Sequence, residues 1–142
     1  MSERIDKLLT DGLVAGYAGT MKPEPVRRVG FAGKANDYTD SNNGHYHDEW
    51  FADDNGGGQE LVRQLKKRAT RLYAGGVIPV EELQLLDLTT KDVISQLITG
   101  VRELKGKTRL HEPASLELPD GWSYTHTKYS KKKQRDSIYH WL

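Results

Sequence analysis

Cysteine is absent from this 142-residue chain. That excludes disulfides, thiolate zinc sites and cysteine nucleophiles at once. Long apolar runs are missing too, since no window approaches the ~18 consecutive apolar residues of a membrane span. Met1-Ser2-Glu3-Arg4 leads straight into an amphipathic pattern without the apolar region of a signal peptide, so a cytoplasmic location is expected. Nor does one sign of charge dominate: 21 Lys and Arg stand against 20 Asp and Glu, which is not the strongly basic balance of a nucleic-acid binder. No Gly-Lys-Ser/Thr follows a glycine-rich stretch and no Gly-x-Ser-x-Gly occurs, so the phosphate loop and the hydrolase elbow are excluded.

What remains fits a single domain over residues 1–142, with 36% hydrophobic and 29% charged residues. The charge is laid out unevenly. Seven acids (Asp37, Asp40, Asp48, Glu49, Asp53, Asp54, Glu60) fall between Asn36 and Glu60 with no Lys or Arg among them. Arg63, Lys66, Lys67, Arg68 and Arg71 follow directly, and Lys128, Lys131, Lys132, Lys133 and Arg135 form a second basic run. The segments could neutralise each other within one chain or between two copies, so a homodimer stays among the readings.

Residues 3–16 predict a helix: Ser2 suits the N-cap, and Ile5, Leu8, Leu9, Leu13 and Gly16 recur every three or four residues. Residues 20–44, rich in Pro, Gly, Asn and Asp, read as an irregular surface segment with room for one short strand. From His45 to Phe51 aromatic and charged residues alternate as a strand could use them, and Asn55-Gly56-Gly57-Gly58 reads as a break. Residues 90–104 predict the clearest helix, with Thr90 as N-cap and Val93, Ile94, Leu97, Ile98, Val101 and Leu104 along one side. Strand-like stretches at 121–127 and 137–141 suggest a terminal hairpin.

Residues 60–73 admit two readings. Leu61, Leu65, Ala69 and Leu72 fit a helix stripe, while 60–65 and 69–74 also fit two short strands turning at Lys66-Lys67. The Tyr46-x-Asp48-x-x-Phe51 run, Gly58-Gln59-Glu60 followed by Leu61 and Val62, and Tyr73-Ala74-Gly75-Gly76 together resemble a prokaryotic domain family of unknown function, the one catalogued as number 5680. The resemblance covers roughly residues 8–142, with Trp122-Ser123-Tyr124 where the family has a second Tyr-rich strand. The chain departs from the family at Ala69, Thr70 and Arg71, where Trp-rich positions are found, and it lacks the second Gly-x-Glu. The resemblance implies the hairpin rather than the helix. It implies no chemistry, because the family has no established activity.

Several constellations could carry chemistry. On a strand, His45 and His47 would share a face, and Glu60 or Asp53 could complete a two-histidine, one-carboxylate site for a divalent metal in a hydrolase or oxygenase. The plainer alternative puts the histidines on a polar strand face. Gly56 to Gly58 could offer backbone N–H groups to an anion beside Glu60 as a base, or Glu60 could simply pair with Arg63 or Arg71. The local acids favour the second. Trp122, Tyr124, Tyr129, Tyr139 and Trp141 interleaved with Lys128, Lys131, Lys132, Lys133 and Arg135 hold the ingredients of a single-strand nucleic-acid surface, or of a hairpin with a solvated turn. His126 and His140 could face each other, but neither sits in the His-x-Thr/Ser context of paired-histidine phosphoesterases.

The expected fold is α+β: an antiparallel sheet of about five strands with an N-terminal helix and one long helix, 90–104, packed on it. The leading functional expectation is a non-catalytic binding or regulatory module without a cofactor. Tyr46, Asp48, Trp50, Phe51, Gln59 and Glu60 are its expected binding residues, for a protein or a small polar ligand. The competing expectation is a metal-dependent enzyme built on His45, His47 and Glu60.

Overall fold

The alternation that makes residues 45–51 a strand also gives the molecule its inside. In the computed structural model, which describes residues 3–28, 31–51, 54–104 and 113–127, Tyr46, Asp48 and Trp50 are buried on one face of strand β3 (His45–Phe51). That strand is the centre of an antiparallel meander: β1 (Glu24–Arg28), β2 (Phe31–Thr39), β3, β4 (Asn55–Gln64) and β5 (Lys67–Gly76) pair in chain order.

Helix α1 (Glu3–Ala15) covers one end of the inner face. Its Ile5, Leu8 and Leu9 pack with Tyr46 and Val62, and with the half-buried Tyr38 and Ala69. The helix lies close because Gly12 has no side chain: a Cβ there would stand 2.2 Å from the Tyr46 ring. Next come a short helix α2 (Val80–Leu85), helix α3 (Thr90–Glu103) and a separate two-stranded ladder of β6 (Ala114–Glu117) with β7 (Ser123–His126). A second core joins Leu13 and Ala18 to Val101 of α3 and Leu104 at its C-terminal cap, to Tyr124 of β7, and to Leu118 in the connection between β6 and β7. Gly100 lets α3 sit on Tyr124, whose ring a Cβ would approach to 2.5 Å. No helix of the described residues is long and apolar enough to cross a membrane.

The fold is α+β as expected, and the hairpin at 60–74 is present. Several local expectations need correction. Residues 20–44 hold two strands rather than an irregular segment: β2 is poor in β-forming residues, and its ladders to β1 and β3 override that composition. Asn55 to Gly58 is no break but the start of β4, where small residues admit the bulky side chains of neighbouring strands. The turn falls at Leu65-Lys66, with Gln64 paired to Lys67 and Leu65 at φ 55°. Thr89, not Thr90, caps α3, through a capping box with Asp92. Residues 121–127 contribute β7 to the small ladder instead of a strand to the main sheet, and their expected partner at 137–141 lies outside the described residues. Helix α3 packs on that ladder and on the end of α1, and faces the large sheet across a cleft.

Candidate functional site

The pairing register lays three rows of side chains across the inner face. Tyr38, Tyr46, Val62 and Ala69 form the row sealed under α1. Asn36, Asp48, Glu60 and Arg71 form the next. Lys34, Trp50, Gly58 and Tyr73 form the third. A polar row thus runs between an apolar row and an aromatic one.

The polar row is buried, with Asp48 and Glu60 each only 2% exposed and Asn36 only 4%. Arg71 grips Glu60 with both Nε and Nη2, a fork geometry suited to a carboxylate. Tyr46 donates its hydroxyl to Glu60 Oε1 at 2.8 Å, and Tyr73 donates to Asp48 Oδ1 at 2.8 Å. Burial and the adjacent carboxylates push both phenols well above their ordinary range, so they remain donors. Burial also pushes the Asp48 carboxyl up to about 6; the Glu60 charge adds to this, while the Tyr73 hydrogen bond and Arg71 oppose it. Among the described residues Tyr73 is the sole hydrogen-bond donor to Asp48, so Oδ2 has none. Asn36 Oδ1 and Arg71 Nη1 are fully buried without a partner.

These groups floor a cleft of about 510 Å³ whose opposite wall is apolar, made by Val93, Ile94, Leu97 and Ile98 of α3. Tyr17 meets Trp50 edge-on at one side, with ring centroids 6.4 Å apart. Thr90 donates to Asp54 Oδ1 at 2.8 Å and ties the start of α3 to the sheet. An apolar wall over buried polar groups with open valences is the usual character of a small-molecule site.

The structure divides the sequence-derived candidates between two faces. Tyr46, Asp48, Trp50 and Glu60 lie inside, although Tyr46 sits beneath Gly12 of α1 and reaches the polar row only through its hydroxyl. Phe51, at the strand end, lines the mouth of the cleft. Gln59 pairs with Glu49 and belongs to the outer face. His45 and His47 share that outer face, as expected of alternate strand positions, but Glu60 pairs with Asp48 and points to the other side. The three proposed metal ligands are therefore not brought together. Among the described residues no group of three or more His, Asp or Glu side chains is placed to hold a metal.

His47 is engaged elsewhere, its Nδ1 2.8 Å from Asp37 Oδ1 and its Nε2 3.2 Å from Glu49 Oε1. Burial alone would lower its pKa, but these two carboxylates hold it above the ordinary value. Glu49 also meets Arg28. His45 has Thr39 Oγ1 at 3.3 Å. His126 stands edge-on to Tyr124, and His140, Asp53, Lys128, Lys131, Lys132, Lys133 and Arg135 lie outside the described residues. The anion loop imagined at Gly56 to Gly58 is strand.

Sequence reasoning paired Glu60 with Arg71 as one option, yet missed Asn36 and Tyr73 as cleft residues and the α3 side chains as the facing wall. Asn36 was hidden inside a segment read as irregular. Tyr73 was legible once the hairpin is accepted, since its parity matches that of Arg71. Compared with known family models, with the curated proteins and with the solved structures, the chain finds no match in any of the three.

Proposed function

We propose that this protein is a non-catalytic binding module that takes a small organic molecule in the cleft between the large sheet and α3. The observation that carries the proposal is the buried row Asn36, Asp48, Glu60 and Arg71 facing that cleft. Burying a carboxyl with one neutral partner is costly, and an apolar row would make a more stable sheet face. Groups kept at such a cost are those a ligand needs. The ligand would present polar groups to the floor and an apolar body to Val93, Ile94, Leu97 and Ile98. Aromatic side chains at Trp50 and Tyr17 would add stacking contact.

The test is a cleft-filling variant. Ile94 lines the cleft without joining either buried core, so Ile94→Trp occupies the space and spares the packing. A low-molecular-weight filtrate of cell extract should raise the melting temperature of the wild type and leave Ile94→Trp unmoved. An equal rise in both would put the ligand elsewhere, and no rise in either would count against the proposal.

One observation favours a second reading, in which the cleft is catalytic. A carboxyl pushed up to about 6 beside a phenol is poised to exchange protons near neutral pH. Turnover of a cleft ligand that stops with Asp48→Asn but survives Tyr46→Phe would support it.

A further inference from the structure

The head group that this cleft selects follows from its charge, given the binding role proposed above, on which this inference rests. Glu60 and Arg71 neutralise each other through a two-pronged contact. Asp48 has only the neutral Tyr73 phenol as hydrogen-bond partner among the described residues. Asp54 adds a further carboxylate at the rim, and Lys34 is exposed at the mouth. The facing wall, Val93, Ile94, Leu97 and Ile98, brings no ionisable group, and Tyr17 brings only a phenol. The floor thus keeps one carboxylate, Asp48, that makes no ion pair among the described residues, with Lys34 in the neighbouring row at the exposed mouth.

Its open valences agree with that sign. Asp48 Oδ2 and Asn36 Oδ1 are both acceptors lacking a donor, and the Asn36 side chain is almost wholly buried. Arg71 Nη1 is the one donor left over, and it suits an acceptor elsewhere on a ligand. Trp50 and Tyr17 line the cleft as an edge-on aromatic pair, a surface compatible with a cation. An anionic head would meet Asp48 and Glu60 at the floor with Arg71 already committed.

We propose that the cleft binds an organic cation, a protonated amine or amidine on an apolar body, which donates N–H groups to Asp48 Oδ2 and Asn36 Oδ1. The charge-assisted contact replaces the water that these acceptors would otherwise need, and the body lies against the α3 wall. Because the contact requires the Asp48 carboxylate, affinity falls as pH drops through its titration. The groups acting on Asp48 are the Tyr73 phenol, Glu60 paired with Arg71 and, from the outer face, His47, so the Asp48 part of the profile is read as the difference between wild type and Asp48→Asn.

The test uses four probes of matched shape: benzylamine, benzamidine, benzyl alcohol and benzoate. Each is titrated into the full chain while amide and indole resonances are followed by NMR. The two cations should shift the β3 and β5 resonances around Asp48 and Tyr73, binding at least tenfold more tightly than benzyl alcohol. Benzoate should leave those resonances in place. Asp48→Asn, which preserves shape, should abolish the preference for the two cations over benzyl alcohol. Should benzoate or the alcohol occupy the cleft as well as the amines do, the head-group inference is overturned and the cleft remains a binding site. Should no probe move the cleft resonances, both readings fail.

Discussion

The Tyr73 hydroxyl reaches Asp48 Oδ1 at 2.8 Å by lying across Gly58, the residue that separates them on the strand between. A Cβ on Gly58 would stand 2.5 Å from the Tyr73 oxygen and 2.3 Å from the Glu49 carbonyl. The third glycine of a run that looks like a flexible loop is in fact the gap through which two functional side chains meet.

Gly58→Ala should therefore break that hydrogen bond and displace β4 together. The expected loss is about 1–3 kcal/mol, the usual cost of overpacking. Tyr73→Phe removes the hydroxyl and leaves the buried Asp48 without its donor but does not displace β4, so it should cost less than Gly58→Ala, toward the low end of about 1–3 kcal/mol. Urea denaturation of the two variants separates them, and equal losses would show that Gly58 is not the tighter constraint.

Asp48 makes the protein less stable at neutral pH than it would be with a neutral side chain. Its folded value, about 6, lies above the ordinary 3.8. The unfolded state therefore releases its proton first as pH rises, and stability falls between about pH 4 and pH 6. Above that window the deficit is about 2–3 kcal/mol. Asp48→Asn should remove it and raise the melting temperature at pH 7.5. His47 drifts the same way: its value is raised, so its contribution is fully present below about 6.5 and is lost as pH climbs through the folded value. The difference between wild type and Asp48→Asn isolates the Asp48 part, and a difference independent of pH would refute it.

The Glu60 and Arg71 pair behaves differently from Asp48. Arg71→Met strands a buried carboxylate and should cost about 3–5 kcal/mol. Replacing both, as Glu60→Leu with Arg71→Met, should recover most of that loss, because the pair itself contributes little net stability. A double-mutant cycle by chemical denaturation reads this directly; a double variant as weak as Arg71→Met would contradict it.

Leu65 sits at φ 55° in the β4–β5 turn and is 79% exposed. It therefore bears the left-handed backbone cost with little burial in return. Leu65→Gly should stabilise the protein by about 0.5–1 kcal/mol, seen as a higher denaturation midpoint with an unchanged slope. A lower midpoint would mean that the side chain packs in solution.

How much of this was legible in the sequence depended on the kind of signal. Ile5, Leu8 and Leu9 repeat at helical spacing, and Val93, Leu97 and Val101 do the same, so both long helices were readable within a residue or two of their ends. The class α+β followed from them and from the alternation in β3. Strands β1 and β2 were not readable, because Pro25, Gly33, Asn36 and Asp37 are poor strand formers held in place by their ladders. Within the site, alternation put Asp48 and Trp50 on one face correctly. The face of Glu60 was not fixed by its own neighbourhood. It depended on the β3–β4 register, a long-range pairing that local sequence does not encode, and that register separated Glu60 from His45 and His47.

The most direct test is native mass spectrometry of the protein as purified from cells, beside Asp48→Asn prepared identically. The wild type should carry an excess mass of small-molecule size that is released on gentle activation, and Asp48→Asn should lack it. The same excess on both proteins, or none on either, would contradict the claim that Asp48 and its buried row exist to hold a ligand.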